Sequence, residues 1–416
     1  MSGLSRADGE LHCDGVPLAS IAAQVGTPVH VYSGMAIDER YARLDQAFGD
    51  WPHRVHYALK ANSTLAVVAR LRARGAGADA NSGGEIEVAL RAGFSPDEIV
   101  FTGVGKTHAE LERAIALGVA AINAESPGEV ERIAAIAAAR AATARVAVRI
   151  NPDVDSGSHR HIATGHSATK FGVSAEDAAA MIRDMKGRSG LSVVGLHVHI
   201  GSQILGVEPL SRATEAVVRL AAEIAPDAPQ LEHIDVGGGL GIPYAPGDPE
   251  PSVEAYAEAV KAAVRPSGLT LRFEPGRWLV GPAGVLVTTV VDLKRRAGGG
   301  WFVVVDAGMT DLIRPALYDA WHNIEAVRPR EGRSIRAEIV GPVCETSDTL
   351  GRDRELPPVQ VGDLLVIRDT GAYGAVMASN YNRRPTAAEV MVDDGRWRIV
   401  RRRQTVNDML QWDTEC

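Results

Sequence analysis

The sequence has little of several features that mark particular classes of protein. Its three cysteines, Cys13, Cys344 and Cys416, are odd in number and widely spaced, which argues against a disulfide framework and against a cysteine-based zinc cluster. No stretch reaches the roughly 18 uninterrupted apolar residues of a membrane-spanning helix. Basic residues (44) are outnumbered by acidic ones (52), and the net charge of -8 argues against a polyanion-binding surface. We therefore expect no membrane partner and no nucleic-acid partner.

The first fifteen residues, MSGLSRADGELHCDG, also lack a basic segment followed by an apolar one, as a secretion signal would have. We therefore expect a cytoplasmic protein with reduced thiols. What the chain does have is length and apolar content. Its 416 residues, 45% of them hydrophobic, can bury a large core and predict two or three domains, or one barrel with an extra module.

One unit recurs between residues 54 and 275: a short β-rich run that ends in polar or glycine residues, followed by a stretch with helical spacing. The eight runs are VHYALKAN, GAGADANS, IVFTGVG, VAAINAES, ARVAVRINP, VVGLHVHIGS, HIDVGGGLG and LTLRFEPG. This alternation predicts a parallel (β/α)8 barrel, an α/β fold whose active site lies at the C-terminal ends of the strands. A doubly wound open sheet is the competing prediction.

After about residue 281 the apolar residues alternate with a period of two, as in GVLVTTVVDL and WFVVVDAG. Asp394-Gly395 suits a tight hairpin turn, and ELHCDGVPL near the N-terminus predicts another hairpin. We therefore expect a barrel over residues 27–280 and an antiparallel β domain formed by residues 1–26 and 281–416.

Several residues with chemical potential fall at the predicted strand ends. Gly237, Gly238 and Gly239 follow the seventh run directly, where their backbone N–H groups could surround a phosphate; a tight strand-to-helix turn is the simpler interpretation. The segment lacks the G-x-G-x-x-G spacing of a dinucleotide site, because residue 242 is Ile. Phosphate binding is the prediction for this turn.

Two other motifs each admit a functional and a structural interpretation. His197 and His199 lie two apart on one strand face, as two metal ligands would, although a structural role for at least one of them is expected. Gly105-Lys106-Thr107 resembles the end of a nucleotide-binding P-loop. The glycine required five residues before Gly105 is Val100, however, so an ordinary turn is predicted.

Three further residues remain to be placed. Lys60 ends an apolar strand, where a lysine is unusual. Glu274, close to Arg277 across a Pro-Gly turn, is either half of a surface salt bridge or a buried carboxylate able to keep a pyridine nitrogen protonated. Cys344 is either a small buried apolar residue or a reactive group.

Together these features describe a pyridoxal phosphate site, and from about residue 27 to residue 408 the chain resembles the group IV, alanine racemase-fold, pyridoxal phosphate-dependent decarboxylases. Within that family it is most similar to the enzymes that act on diaminopimelate. The motifs that carry the resemblance are YALKAN, HIGSQ, GGGLG, EPGR, RPALY, the CE pair and GAYG. The fold implied is an alanine racemase-like one, and the cofactor implied is pyridoxal 5'-phosphate.

The resemblance also implies roles for individual residues. Lys60 would be the Schiff-base lysine, His199 would stack on the cofactor ring and Glu274 would hold the pyridinium nitrogen. The remaining cofactor contacts implied are Asp79, Ser202, Gly237, Gly238, Gly239, Gly276, Arg277 and Tyr373. The substrate contacts implied are Arg277, Arg314, Tyr318, Glu345 and Tyr373, and the proton donor is Cys344.

The activity implied is decarboxylation of meso-2,6-diaminopimelate at its D-centre, giving L-lysine and CO2 in the final step of lysine biosynthesis. Two arginines suit the distal carboxylate of this substrate, because a guanidinium group binds a carboxylate through two hydrogen bonds. The resemblance further implies an obligate homodimer with shared active sites, in which the CE segment comes from the partner subunit.

The chain departs from the family pattern at CETSD, where CESGD is usual, at Trp278 and at Asn81. Three other functions therefore stay open at this point. They are decarboxylation of another basic or acidic amino acid, cofactor binding without catalysis, and metal-dependent hydrolysis. Intact Lys60, Cys344 and Tyr373 argue against the non-catalytic alternative, and Arg314 with Tyr318 against another substrate.

Overall fold

The computed structural model describes residues 3–154 and 170–414, so Cys416 lies outside it. The strands are β1 (Leu4–Ala7), β2 (Glu10–Cys13), β3 (Val16–Pro17), β4 (Val29–Ser33), β5 (His53–Ala58), β6 (Gly77–Ala80), β7 (Ile99–Phe101), β8 (Ala121–Ala124), β9 (Ala144–Ile150), β10 (Leu191–Val198), β11 (His233–Asp235), β12 (Thr270–Phe273), β13 (Gly284–Arg295), β14 (Trp301–Val305), β15 (Ile324–Ala326), β16 (Ile335–Val340), β17 (Thr349–Leu356), β18 (Leu364–Ile367), β19 (Ala388–Asp393) and β20 (Arg396–Arg401). The α-helices are α1 (Leu18–Val25), α2 (Gly34–Phe48), α3 (Leu65–Ala73), α4 (Gly83–Arg91), α5 (His108–Leu117), α6 (Pro127–Ala139), α7 (Ala175–Met185), α8 (Glu208–Ile224), α9 (Val253–Val264), α10 (Arg277–Val280), α11 (Arg314–Tyr318) and α12 (Val406–Leu410).

The chain divides into two compact units. The barrel unit consists of Tyr41–Ile242 and Pro249–Trp278. The β unit consists of the residues up to Arg40, the short segment Pro243–Asp248, and the residues from Leu279 onward.

The barrel unit contains eight parallel strands, β5 to β12, that pair in sequence order, and β12 pairs with β5 to close the barrel. Each of the eight predicted runs overlaps one of these strands, so the predicted barrel is confirmed and the open sheet is excluded. The helices begin and end where local chemistry predicts. At the start of α4 the Ser82 hydroxyl accepts a hydrogen bond from the Glu85 N–H, and α5 ends at Gly118 in a left-handed conformation.

The β unit is built on a sheet in the order β17-β16-β14-β13-β4-β19-β20, with β18 pairing with both β13 and β15. The predicted β domain is confirmed, but the sheet is mixed and not purely antiparallel. β14 pairs with β16 in parallel, and β4 pairs with β19 in parallel. Parallel neighbours need a crossover connection, and residues 306–334 supply one between β14 and β16. Period-two alternation predicts strands but carries no information on their relative direction.

The unit boundary differs from the expected one near the N-terminus. The sequence pattern places residues 27–40 in the barrel, but β4 lies between β13 and β19 in the mixed sheet. All five residues of β4 are buried, and a short buried strand has the same apolar pattern in a barrel as in the centre of a sheet.

The two faces of the mixed sheet carry separate apolar cores. Along β13, Val285 and Val287 contribute to one core, whereas Leu286 contributes to the other. This is the alternation that the sequence predicts for a strand buried on both faces. The first core includes Leu11 of the N-terminal hairpin and Leu18 of α1, so the N-terminal residues join the β unit as expected. No helix of the described residues is long and apolar enough to cross a membrane.

Candidate active site

The predicted site residues of the barrel unit lie where its strands end. Lys60 lies in a single 3₁₀ turn, Leu59–Ala61, directly after β5, and Asp79 lies near the end of β6. His199 follows β10, the three glycines follow β11, and Glu274 follows β12. These residues lie at the C-terminal ends of the strands, where a barrel of this type carries its active site.

Lys60 is held beside a buried carboxyl group. Its Nζ atom lies 3.4 Å from Asp79 Oδ2, and the side chain of Lys60 is 35% exposed while that of Asp79 is fully buried. Burial, and after it the negative charge of Glu274, raises the pKa of Asp79, although the Lys60 charge opposes this. The amine of Lys60 is therefore partly exposed and lies beside the carboxyl group of Asp79.

Glu274 is a buried carboxylate and not half of a surface salt bridge. Its Oε2 atom lies 3.1 Å from His197 Nε2, both side chains are almost wholly buried, and Thr102 Oγ1 donates a weak hydrogen bond of 3.5 Å to its Oε1 atom. Burial alone would raise the pKa of Glu274, but the charge and the hydrogen bond of His197 outweigh it and hold this pKa well below its ordinary value. Burial likewise opposes the charge on His197, and Glu274 overcomes it and raises the pKa of that imidazole. The two groups form a buried ion pair.

His197 therefore has a structural partner, as expected for at least one histidine of the pair. The predicted metal-ligand pair, His197 and His199, is not the group of possible metal ligands that the structure brings together. Among the described residues, one ligand atom each of His197, Asp235 and Glu274 lie within 4.8 Å of one another and could hold a metal ion. His199 instead accepts a hydrogen bond at Nδ1 from the Gly238 N–H at 3.1 Å, and its pKa lies well below the ordinary value, because of burial first and the charge of Lys60 second. The imidazole of His199 is neutral.

The glycine run after β11 packs too closely for side chains. A Cβ atom on Gly238 would lie 2.3 Å from the carbonyl oxygen of Glu274, and one on Gly237 would lie 2.4 Å from that of Val198. Gly237 also has a φ of 66°, in the left-handed region that favours glycine. The Gly237 N–H donates to Asp235 Oδ1 at 2.8 Å, so this turn has internal hydrogen bonds, and its predicted binding of phosphate stays a prediction.

Gly276 brings the Glu274 turn against the Lys60 turn. A Cβ atom on Gly276 would lie 2.8 Å from the Cβ atom of Ala61, and the Ala58 N–H donates to the Pro275 carbonyl at 3.2 Å. The neighbouring Arg277 is buried, and its Nη2 atom donates to Ser202 Oγ at 3.1 Å. The structure thus joins two of the residues predicted to contact the cofactor.

Lys106, in the segment that resembles the end of a P-loop, points into the protein. Its Nζ atom donates to Glu129 Oε1 at 2.8 Å and to the carbonyl oxygens of Gly103 and Asn123 at 2.6 and 2.7 Å. Thr107 caps α5. The prediction of an ordinary strand-to-helix turn is confirmed.

The β unit contains the other predicted residues, and Arg314 is the most firmly held of them. It lies on α11 with Tyr318, its Nη1 atom donates to His322 Nε2 at 2.7 Å, and its guanidinium carbon lies 4.5 Å from the centre of the Tyr244 ring. His322 Nδ1 donates to the carbonyl of Arg368 at 2.8 Å, which leaves Nε2 of the neutral imidazole as the acceptor for Arg314. Sequence reasoning missed Tyr244 and His322, because neither lies in a motif.

Cys344 and Glu345 lie on an exposed loop between β16 and β17. Cys344 is exposed, which contradicts the buried apolar alternative. Glu345 Oε1 accepts a hydrogen bond from the Tyr381 hydroxyl at 2.6 Å. Tyr373 has a φ of 56°, between Gly371 and Gly374. The reactive alternative for Cys344 remains a prediction.

Asp348 anchors that loop, a role that the sequence did not reveal. Its two carboxylate oxygens accept the N–H groups of Met309 and Val343 at 2.6 and 2.7 Å, and a Cβ atom on Gly341 would lie 2.3 Å from one of them. Ser347, at the position where the family usually has glycine, does not adopt a positive φ. The loop therefore needs no glycine there.

Comparison with known proteins shows which family the chain belongs to. The family described as "Pyridoxal-dependent decarboxylase, pyridoxal binding domain" matches residues 35–281. A diaminopimelate decarboxylase of Neisseria meningitidis serogroup A is 44% identical over 406 residues, which cover 98% of this chain and 99% of that protein. The chain belongs to the diaminopimelate decarboxylase family. It is therefore a carboxy-lyase of the pyridoxal phosphate-dependent, group IV type, as its sequence predicts.

Solved structures of diaminopimelate decarboxylases have the same fold. The protein of M. jannaschii in co-complex with L-lysine has a TM-score of 0.94 at 35% identity, and the match covers 100% of this chain and 99% of that one. The Helicobacter pylori enzyme complexed with L-lysine has a TM-score of 0.91 at 38% identity and covers 94% and 98%. The residues present fit the cofactor of this decarboxylase family, because a buried Glu274 held ionised by His197 suits a protonated pyridine nitrogen.

Proposed function

We propose that the chain decarboxylates meso-2,6-diaminopimelate at its D-centre and releases L-lysine and CO2, the final step of lysine biosynthesis. The observation that carries the proposal is the pairing of an accessible Lys60 amine with a buried, ionised Glu274 at the strand ends of one barrel. The similarity to diaminopimelate decarboxylases over nearly the whole chain supports the choice of substrate. The proposed cytoplasmic location rests on the sequence alone.

The barrel residues would bind and polarise the cofactor. When bound, pyridoxal phosphate supplies a protonated pyridine ring that accepts the electron pair released when CO2 leaves. Lys60 would hold the cofactor through Nζ, Glu274 would keep the ring nitrogen protonated, and neutral His199 would stack on the ring. The phosphate contacts would come from Ser202, Gly237, Gly238, Gly239 and Tyr373. Gly276 and Arg277 would be further cofactor contacts, and Asp79 would lie beside the Lys60 amine.

His197 supports this role of Glu274. An isolated buried carboxylate would tend to take up a proton, because burial disfavours its charge. The imidazolium of His197, 3.1 Å away, keeps Glu274 ionised and ready to accept a hydrogen bond from a ring N–H. His197 is thus proposed as a positioning residue for Glu274.

The family resemblance also supplies the proposed substrate contacts. Arg277, Arg314 and Tyr318 would bind the distal carboxylate, and a guanidinium group is suited to this because it offers two parallel N–H donors. His322 and Tyr244 fix the orientation of Arg314 before substrate binds. Glu345 would bind the distal ammonium group, and Tyr373 would contact both substrate and phosphate.

Cys344 would donate its thiol proton to the carbon atom that has lost CO2, so that an S–H bond breaks as a C–H bond forms. We further propose an obligate homodimer in which Cys344 and Glu345 serve the partner's barrel. The exposure of Cys344 in the single chain is consistent with such a role.

Lysine release from meso-diaminopimelate, measured with and without added pyridoxal phosphate, tests the function. We expect release that depends on the cofactor and is lost in Lys60→Ala, but is kept in the matched control Lys186→Ala, whose lysine is paired with Asp227 at the surface. Ornithine and arginine should turn over far more slowly. Faster turnover of either would contradict the proposal.

Mixing two inactive variants tests the shared site. A Lys60→Ala chain and a Cys344→Ala chain should recover activity when they form heterodimers, because one of the two sites then has both residues intact. If size measurements show heterodimers without any recovered activity, the sharing proposed here is wrong.

A further inference from the structure

The Lys60 amine lies at one end of a chain of hydrogen bonds that reaches the first turn of α4. Lys60 Nζ donates to Asp79 Oδ2 at 3.4 Å, and the other oxygen of that carboxyl group, Oδ1, accepts from Asn81 Nδ2 at 3.1 Å. The backbone N–H of Asn81 donates to Glu85 Oε2 at 2.6 Å. Asn81 therefore binds both carboxyl groups, and none of the roles described above includes it.

The charge on Asp79 depends on its hydrogen-bond donors. Burial raises its pKa, and the negative charge of Glu274 raises it further. A donor that favours the ionised form acts in the opposite direction, and an amide NH2 group is such a donor. Asn81 thus stabilises the carboxylate that Lys60 meets. The backbone N–H of Asn81 acts in the same sense on Glu85, where burial nevertheless raises the pKa to about 7.

We propose that Asn81 is a positioning residue for Lys60. Its side-chain amide orients Asp79 and stabilises the Asp79 carboxylate, and Asp79 in turn sets the pH range in which the Lys60 amine is uncharged and able to react. The use of this amine rests on the proposed decarboxylase function, but the hydrogen-bond chain involves only residues of this protein.

Other charged groups also act on Lys60, and the test must separate them from Asn81. Electrostatic interactions link Lys60 to Asp79, Glu85, Glu274 and His199. A change at the Asn81 side chain alters the donor to Asp79 directly and leaves the other three residues in place. The direction in which the pH midpoint of Lys60 reactivity shifts then shows whether the hydrogen bond from Asn81 to Asp79 is the cause.

Two substitutions at Asn81 should shift the pH midpoint of Lys60 reactivity in opposite directions. Asn81→Leu removes the donor, so the Asp79 carboxylate and with it the Lys60 ammonium become less stable. Asn81→Asp places a second carboxylate beside Asp79, so the ammonium becomes more stable. We expect the midpoint of Lys60 reactivity to fall by roughly half a pH unit or more in the first variant and to rise by a similar amount in the second.

The measurement is the rate at which trinitrobenzenesulfonate modifies Lys60, followed as a function of pH in the full-length chain after removal of the cofactor. Lys60 is one of only six lysines, so the modified peptide is easily resolved by mass spectrometry. Ser82→Ala is the matched control, because it removes the cap at the start of α4 without touching the Asn81 amide, and it should leave the midpoint unchanged.

Shifts of the same sign in both Asn81 variants, no shift in either, or an equal shift in Ser82→Ala would overturn the proposal. Lysine release is measured separately on the same proteins with cofactor restored. Opposite shifts support the role of Asn81 even if meso-diaminopimelate turns out not to be the substrate, so the two proposals fail independently.

Discussion

The strand ends of the barrel unit and the loop between β16 and β17 of the β unit control their reactive side chains in different ways. At the strand ends, Glu274 and His197 are buried and set each other's charge through a direct ion pair. On the loop, Cys344 is exposed, and the loop conformation depends on backbone N–H groups bound by Asp348. Charge state is therefore fixed by a buried ion pair in one region, whereas position is fixed by an anchor in the other.

This difference predicts that removing a charge lowers kcat far more at the strand ends than on the loop. We expect Glu274→Gln to lower kcat for lysine release by about 10³-fold, as when one preorganised electrostatic partner is removed from an enzyme site. Glu345→Gln, the same chemical change on the loop, should lower kcat only about tenfold, because it weakens one charged hydrogen bond to the distal end of the substrate, away from the bond that breaks. Steady-state kinetics on both variants checks this, and equal losses would contradict the comparison.

The buried region should also dominate the dependence of stability on pH. Burial, followed by the charge of Glu274, raises the pKa of Asp235 from 3.8 to about 8. Between these values the folded chain binds more protons than the unfolded one, so this contribution is full below pH 3.8 and is lost as the pH rises through about 8. Asp235→Asn should therefore flatten the fall in unfolding free energy from pH 5 to about 8.

An exposed aspartate of the β unit supplies the control for that experiment. Hydrogen bonding to Arg336 lowers the pKa of Asp353, so its contribution is full above pH 3.8 and is lost only at lower pH. Asp353→Asn should leave the slope above pH 5 as it is. Denaturant unfolding at several pH values measures the unfolding free energy of both variants. A flatter dependence on pH in Asp353→Asn would contradict burial as the cause of the effect at Asp235.

On the loop the anchor should matter more than the charges. Asp348→Ala leaves the N–H groups of Met309 and Val343 without their acceptor, and we expect a loss of about 1–3 kcal/mol in the free energy of unfolding. Asp348→Asn keeps one carbonyl oxygen and should lose less. Urea unfolding gives both values, and an unchanged midpoint in Asp348→Ala would show that the loop is held by other contacts.

The smallest effect is expected at the position where the loop departs from the family pattern. Because Ser347 does not adopt a positive φ, glycine brings no conformational relief there and only adds freedom to the unfolded chain. Ser347→Gly should lower the free energy of unfolding by about 0.5 kcal/mol. The variant should keep kcat within about twofold of the parent. A stabilising effect in thermal unfolding would mean that the loop is strained by serine.

Much of the barrel could be predicted from the sequence, because each strand forms a continuous apolar run and each site residue follows such a run. Glu274 and Lys60 were identified in this way, and family motifs sharpened their roles. The position of β4 could not be predicted, since a buried strand has the same pattern in either unit. The parallel pairing of β14 with β16 could not be predicted either, because alternation of apolar residues does not depend on strand direction.

The missed contacts share a different cause. His322 and Tyr244 fix Arg314 from distant parts of the chain, and the Asn81 amide acts through a hydrogen bond whose geometry exists only after folding. Nothing in the sequence marks Asp348 as the acceptor of the Met309 and Val343 N–H groups. Residues that hold another residue in place have no chemical signature of their own in a sequence.

The contact between Gly276 and Ala61 bears on how such an enzyme could acquire a new substrate. Any side chain at residue 276 would separate the turn of Glu274 from that of Lys60, so the region that carries out the chemistry tolerates almost no redesign. Arg314 and Glu345, two of the proposed substrate contacts, belong to the β unit. A change of substrate preference is therefore expected to arise by substitutions in the β unit, while the barrel keeps a single catalytic arrangement.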